Sequence, residues 1–467
     1  MRQSKELGKG LSKEFGKRLG KRRHLSPSFP PIWFICWSHR NGDANKINGH
    51  KLTASLDRLG ASPYGFQSCF VICKGKSMSI SSQTSIDACA KYYGPDEDAM
   101  RAYLTAGETS ALALDNRGPI QFDADGRLSQ TIRDAYAKYG FYIFTNVLDK
   151  GELEEIKADL DAMRDRFPTG PDSKINHRGE PALGADNQAL NLIWSKPLGD
   201  PLGGTALANG RHQVKMFEPE AKTDAPAAAP FILLGSLQFS DACLRVYGHP
   251  QLLKVAEEIN GKDFAPFNEA LFIKDPGIGA AVSWHQDGVT HWDSPDFNQD
   301  IHGFNFMAQV YGSTAVNGVW VLPGSHKLGR LDISELVEKS GSERLDGAIP
   351  IVCNPGDVAI CNRQLLHGSF PNCGFEPRVT VNFGFHRRSS VLGVCGAGMH
   401  SEKQVYDEDI VAHRARAIGY AIDARRKHYP NEPAFTYQPH AENGDVYIWS
   451  DDARQDLKDY NLDDLSI

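Results

Sequence analysis

The chain has 467 residues, 41% of them hydrophobic and 23% charged, with a net charge of −7; this is a globular composition, long enough for one large or two ordinary domains with a sizeable core. No apolar run approaches the roughly 18–20 residues that a membrane span needs, and the mild acidity gives no reason to expect a nucleic-acid partner. Nine cysteines, an odd number with no Cys-x-x-Cys pair, fit reduced thiols in a cytoplasmic protein rather than a disulfide framework or a zinc site.

The charge is uneven. Residues 1–77 carry 15 Lys/Arg against 4 Asp/Glu, a net +11 that leaves −18 for the remainder. This stretch mixes Gly16-Lys17-Arg18 and Gly20-Lys21-Arg22-Arg23 with Pro30-Pro31 and shows no sustained periodicity. It reads as a basic extension set apart from a single domain over 78–467. Three origins compete: an organelle presequence, a basic arm for nucleic acid or a membrane surface, and disordered sequence ahead of a true start at Met78.

From about residue 126 the pattern is orderly. Leu128, Ile132, Tyr136 and Tyr139 recur at helical spacing and Gly140 is a natural stop. Phe141 to Val147 is β-rich. Asp149 at an N-cap position with Glu152 three residues on opens a second helix, whose apolar face is Leu153, Ile156, Leu160, Met163 and Phe167. Residues 168–235 are rich in Gly, Pro, Ala and Asn and read as an insertion, either a lid over a pocket or a surface excursion. A helical stretch over 236–260 leads to a strand at Ala270–Lys274. Short β-rich runs then dominate to residue 388, with one helix-period segment at Ile333–Lys339. Phe304, Phe306, Ala308 and Val310 alternate with Asn305, Met307, Gln309 and Tyr311, giving one apolar and one mixed face. Val319–Leu322 precedes the Pro323-Gly324-Ser325-His326 turn, Asn354-Pro355-Gly356-Asp357 feeds Val358–Asn362, and Val379–Phe385 is the last strong strand. Such strands with long crossovers predict a mainly β fold with flanking helices, a cupin-like jelly roll. The tail, 403–467, returns to helix.

The chemistry is concentrated in His285-Gln286-Asp287, His367 and Arg378. If Ser283 to Asp287 is extended, His285 and Asp287 project to one side. Two imidazoles and a carboxylate are the ligand set of a mononuclear non-haem Fe(II) oxygenase, and they leave open positions on the ion for a 2-oxo acid and O2. Arg378 suits the far carboxylate of 2-oxoglutarate, since a planar, permanently charged guanidinium pairs with it bidentately.

Trp284-His285-Gln286-Asp287, Pro323-Gly324-Ser325-His326, Gly356-Asp357, and His367-Gly368-Ser369 with Asn372 and Arg378 resemble, in that order, the phytanoyl-CoA dioxygenase family of Fe(II)/2-oxoglutarate oxygenases. The resemblance covers roughly 126–390. It implies a double-stranded β-helix with His285, Asp287 and His367 as iron ligands. It also implies that Arg378, assisted by Ser369, holds the C5 carboxylate of 2-oxoglutarate. The expected reaction is hydroxylation of an unactivated C–H of a small-molecule substrate, with 2-oxoglutarate decarboxylated to succinate and CO2. A redox-silent cupin-type enzyme or metal-binding protein is the alternative, and it has no need of Arg378. Lys274 is a further candidate contact to the cosubstrate, or else a solvated strand-end lysine. Gln309, on one face with Asn305, is a candidate donor to cosubstrate or substrate, or else a cross-strand partner. His291-Trp292-Asp293 is a competing ligand pair set in loop-like sequence, and His326 is expected to lie outside the barrel.

Overall fold

The structure, a computed structural model, describes residues 80–288, 303–396 and 404–464. The basic extension 1–77 and His291-Trp292-Asp293 lie outside the described residues. Two helices come first, α1 (Gln83–Lys91) and α2 (Glu97–Leu112). No strong periodicity announces them, and tertiary contacts hold them. The Glu108 carboxylate accepts from the amides of Ser81 and Ala315, each at 3.0 Å, and Tyr103 stacks on Trp320 with centroids 4.5 Å apart. A Cβ at Gly107 would lie 2.3 Å from Trp320 Cη2. Gly107→Ala is therefore expected to cost about 1–3 kcal/mol of stability by overpacking, read by chemical denaturation; unchanged stability would mean that α2 does not sit this close to Trp320.

β1 (Arg117–Gly118), α3 (Gln130–Tyr139), β2 (Phe141–Phe144) and α4 (Lys150–Asp165) follow. Gly140 ends α3 with φ 82°, a left-handed cap. The Asp149–Glu152 capping box forms in both directions, each bond 2.9 Å. The segment 168–235 is more than an excursion, because it contributes β3 (Leu192–Ser195) and β4 (Ala229–Leu234) to the edge of the sheet. The helix expected over 236–260 is interrupted: after a short turn come α5 (Asp241–Tyr247) and α6 (Pro250–Asn260). Pro250 opens α6 without an N–H to lose, and Gly248 lets the break approach the backbone of Ala421, whose oxygen would lie 2.3 Å from a Cβ.

Eight strands then build the core: β5 (Ala265–Lys274), β6 (Val282–His285), β7 (Gly303–Gln309), β8 (Trp320–Val321), β9 (Ile349–Pro350), β10 (Val358–Asn362), β11 (His367–Ser369) and β12 (Arg378–His386), with α7 (Ile333–Ser340) between β8 and β9. The larger sheet has the order β1-β2-β10-β7-β12-β5-β4-β3 and the smaller β6-β11-β8-β9. Between β5 and β12 the chain passes repeatedly from one sheet to the other, and every pairing among these strands is antiparallel. This is the expected jelly roll, a double-stranded β-helix whose sheets do not close into a continuous barrel. After it come α8 (Arg388–Val391), the pair β13 (Cys395–Gly396) and β14 (Gln404–Val405), and the helical tail with α9 (Glu408–His428). No helix among the described residues is long and apolar enough to cross a membrane.

Strand alternation sorts the larger sheet into two faces. Phe304, Phe306 and Ala308 of β7 and Val379, Val381, Phe383 and Phe385 of β12 share one core with Ile132, Leu160, Leu244, Leu253 and Ile418 from the helices. The opposite face carries Asn305, Met307 and Gln309 on β7 and Arg378, Thr380 and Asn382 on β12. Register fixes the ends: Arg378 pairs with Lys274 and Thr380 with Gln309 at one end, while His386 pairs with Ala265 and Gly303 at the other.

Candidate metal centre

His285 ends β6 and His367 begins β11, and the two are direct cross-strand partners, with ring centroids 4.1 Å apart. Asp287 lies two residues beyond His285 on the same side. Ligand atoms of His285, Asp287 and His367 all fall within 4.8 Å of one another, and all three residues are buried. His285 Nδ1 lies 2.8 Å from the Ser283 carbonyl and His367 Nδ1 2.8 Å from the Leu365 carbonyl. A carbonyl only accepts, so each Nδ1 carries the proton and each Nε2 keeps its lone pair. Both Nε2 atoms face Asp287, His285 at 3.5 Å and His367 at 3.9 Å. Burial pushes both imidazoles below their ordinary pKa, further keeping them neutral. Neutral imidazoles oriented through Nδ1 are what a divalent ion requires.

The carboxylate is equally prepared. Burial alone would raise its pKa, but the guanidiniums of Arg363 and Arg211 hold it well below the usual range. Asn305 Nδ2 donates to Oδ2 at 2.8 Å, whereas Oδ1, also buried, has no hydrogen-bond partner among the described residues. One oxygen is thus tethered and the other is left for an ion. The donor set fits Fe(II), with two imidazole nitrogens and a carboxylate converging from one side.

The cavity beside these groups is lined by Phe272, Met307, Ser369, Arg378 and Thr380 among others. Arg378 donates from Nε to Thr380 Oγ1 at 3.1 Å and from Nη1 to the Asn317 carbonyl at 3.1 Å. Burial lowers its pKa to about 10. Lys274, directly across the ladder, donates to Ser369 Oγ at 3.0 Å and to the Phe370 carbonyl. It is 1% exposed, not a solvated strand end, and burial and the charge of Arg378 push it well below the ordinary lysine pKa. Among the described residues no carboxylate comes within ion-pair distance of either group. Buried Arg378 on the cavity wall, with Lys274 beside it, calls for an anion, and the dianion 2-oxoglutarate fits that demand.

Other candidates fall elsewhere. Gln309 accepts from Thr380 Oγ1 at 3.0 Å and touches the cavity only through it. His326 sits against α3, its Nε2 3.1 Å from the Ala137 carbonyl. Trp284 is buried, with Nε1 donating to the Glu343 carbonyl at 2.7 Å. Three residues that no sequence pattern singles out also reach the site. Arg211 and His212 come from the 168–235 segment: Arg211 Nη2 is 3.5 Å from Asp287 Oδ1, and the His212 ring lies 4.2 Å from that of His285. Arg363, directly after β10, brings Nη1 3.9 Å from Asp287 Oδ2.

The family described as phytanoyl-CoA dioxygenase (PhyH) matches residues 136–380, just over half of the chain. A dioxygenase named lolE1 from Epichloe uncinata is 31% identical over 143 residues, which are 29% of this chain and 50% of that protein; the chain spans about half the length of this curated relative. Among solved structures, EctD from S. alaskensis with 2-oxoglutarate and 5-hydroxyectoine is 18% identical, with TM-score 0.40, over 58% of this chain and 81% of that one. The non-heme alpha ketoglutarate dependent epimerase SnoN from nogalamycin biosynthesis is 16% identical, with TM-score 0.35, over 54% and 80%. The family match takes in His285, Asp287, His367 and Arg378, and the chain belongs to the phytanoyl-CoA dioxygenase family.

Proposed function

We propose that the protein is an Fe(II)- and 2-oxoglutarate-dependent dioxygenase that hydroxylates an unactivated C–H of a small-molecule substrate and converts 2-oxoglutarate to succinate and CO2. The observation that carries this reading is the pairing of two features in one cavity: a buried His285/Asp287/His367 cluster with both Nε2 lone pairs aimed inward, and a buried Arg378 with no carboxylate partner among the described residues. When bound, iron and 2-oxoglutarate supply the O2-dependent oxidation. The chain's own work is orientation. His285 Nε2, His367 Nε2 and Asp287 would hold the ion, and Asn305 keeps Asp287 turned toward it. Arg378, with Ser369 and Lys274 beside it, would hold the distal carboxylate. Phe272, Met307 and Val319 give the cavity apolar walls, which limits water at the reacting carbon. A redox-silent cupin would have no use for two uncompensated cationic side chains at the end of the barrel away from the Asp287 side.

The direct test is anaerobic addition of Fe(II) and 2-oxoglutarate to purified protein, followed by O2. The expected result is a weak visible charge-transfer band and O2-dependent succinate release that rises with a true substrate. No band and no succinate across a metabolite panel would return the protein to the redox-silent class.

The catalytic unit in this reading lies within 78–467, with 1–77 dispensable. A chain beginning at Met78 is expected to fold and to keep full succinate-forming activity, because every proposed ligand and clamp residue lies after it and the basic, aperiodic composition of 1–77 is unsuited to the barrel core. Loss of soluble expression or of turnover would assign a structural role to 1–77.

A further inference from the structure

A second cationic pole lies at the other end of the barrel, and holding the metal and 2-oxoglutarate leaves it unexplained. Arg211 and Arg363 approach opposite oxygens of Asp287, at 3.5 and 3.9 Å, with side chains at most 3% exposed. Arg363 also donates to Asn305 Oδ1 at 3.3 Å and lies over the Phe267 ring at 3.7 Å. Among the described residues Asp287 is the one carboxylate within ion-pair reach of either guanidinium. Arg211 Nε and Nη1 and Arg363 Nε and Nη2 are buried without a hydrogen-bond partner among the described residues.

Asp287 cannot neutralise two guanidiniums and a divalent ion at once. Buried N–H groups of a cation without acceptors are costly, and one shared carboxylate does not offset that cost. A purely architectural ion pair would satisfy these donors. Guanidinium N–H groups without partners beside the Asp287 carboxylate match an oxyanion, whose acceptor oxygens pair with them bidentately. The cosubstrate is not free to supply this group: its distal carboxylate belongs at Arg378, and its C1 carboxylate would be taken up, with the 2-oxo group, by the metal. Strand register places Arg378 and Lys274 at one end and Asn362, next to Arg363, at the other.

We infer that Arg211 and Arg363 form a subsite for an oxyanion of the substrate, so that the oxygenase acts on an acidic small molecule held by its carboxylate or phosphoryl group beside the metal. This rests on the oxygenase reading and narrows it to a substrate class. It also gives the 168–235 segment a specific task, since that segment delivers Arg211.

The test uses full-length protein with Mn(II) and saturating 2-oxoglutarate, kept without O2, so that the Arg378 pole is filled. Acetate and inorganic phosphate are titrated separately at constant ionic strength against chloride, with melting temperature as the readout. A saturable rise with one of the two is expected, and which one acts identifies the anionic group. In Arg211→Gln and Arg363→Gln the apparent affinity for that oxyanion should fall about 30-fold or more. A shift absent from the wild-type protein, or retained in full by both variants, overturns the assignment. If Arg211→Gln does not fold, Arg211→Lys replaces it: partial loss is expected, because the charge remains without the fork, and full retention counts against the subsite. Binding of 2-oxoglutarate is scored by its own thermal shift and by Arg378→Ala. Failure there refutes the oxygenase reading, while an oxyanion shift that depends on Arg211 survives it.

Discussion

Asp287→Ala and His285→Ala are each expected to reduce bound iron from one equivalent to background and to abolish O2-dependent succinate formation. In the proposed site either change removes a ligand outright, a larger loss than the roughly 10–100-fold that follows removal of an outer-shell partner. The two variants should differ in metal-free stability. Asp287 is the shared counter-charge of Arg211 and Arg363, so its removal should cost about 3–5 kcal/mol, as for any broken buried ion pair. His285→Ala carries no such electrostatic cost and loses ring packing only. Metal analysis after anaerobic reconstitution and chemical denaturation of the apo forms read both effects. His291→Ala should leave iron stoichiometry intact; loss of metal there, with retention in His285→Ala, would mean the other His-x-Asp pair holds the ion.

Arg378→Ala should weaken 2-oxoglutarate binding by about 2–5 kcal/mol, roughly 30- to several-thousand-fold, because a carboxylate is left facing a desolvated wall. Lys274 is adjacent and buried, so the loss should deepen in the Arg378→Ala/Lys274→Met double variant. Arg378→Lys should recover only part of the affinity, since a point charge cannot reproduce the fork. Ser369→Ala should cost about 0.5–3 kcal/mol, and it also removes an acceptor of Lys274. Anaerobic titration calorimetry at equal iron loading is the measurement. Unchanged affinity in Arg378→Ala would favour the redox-silent cupin.

The parts of the fold legible in the sequence are those fixed by local chemistry. The Asp149 capping box, the Gly140 stop, the alternation in β7 and the Asn354–Asp357 turn into β10 each depend on residues within a few positions of one another, and each appears in the structure. The elements that escaped are held from a distance. α1 and α2 depend on Trp320 and Ala315, the break between α5 and α6 depends on Ala421, and β3 and β4 exist because β5 offers them an edge. The site divides the same way. His285 and Asp287 are two residues apart, so strand alternation alone aligns them, and family resemblance adds His367 and Arg378. Arg211 and Arg363 are each far from Asp287 along the chain, and no local pattern distinguishes them from other arginines.

Among the described residues, both sheets of the jelly roll end in strands poorly suited to recruiting another chain. In the larger sheet the outermost strands are β1, of two residues, and β3, of four with a register shift between Ile193 and Trp194. In the smaller they are β6, of four residues, and β9, of two, where Pro350 has no amide hydrogen to offer. Short, irregular or proline-blocked borders leave few aligned donors and acceptors for an incoming strand. A β-rich protein built this way is guarded against edge-to-edge aggregation, and lengthening β1 or replacing Pro350 would be the changes that weaken the guard.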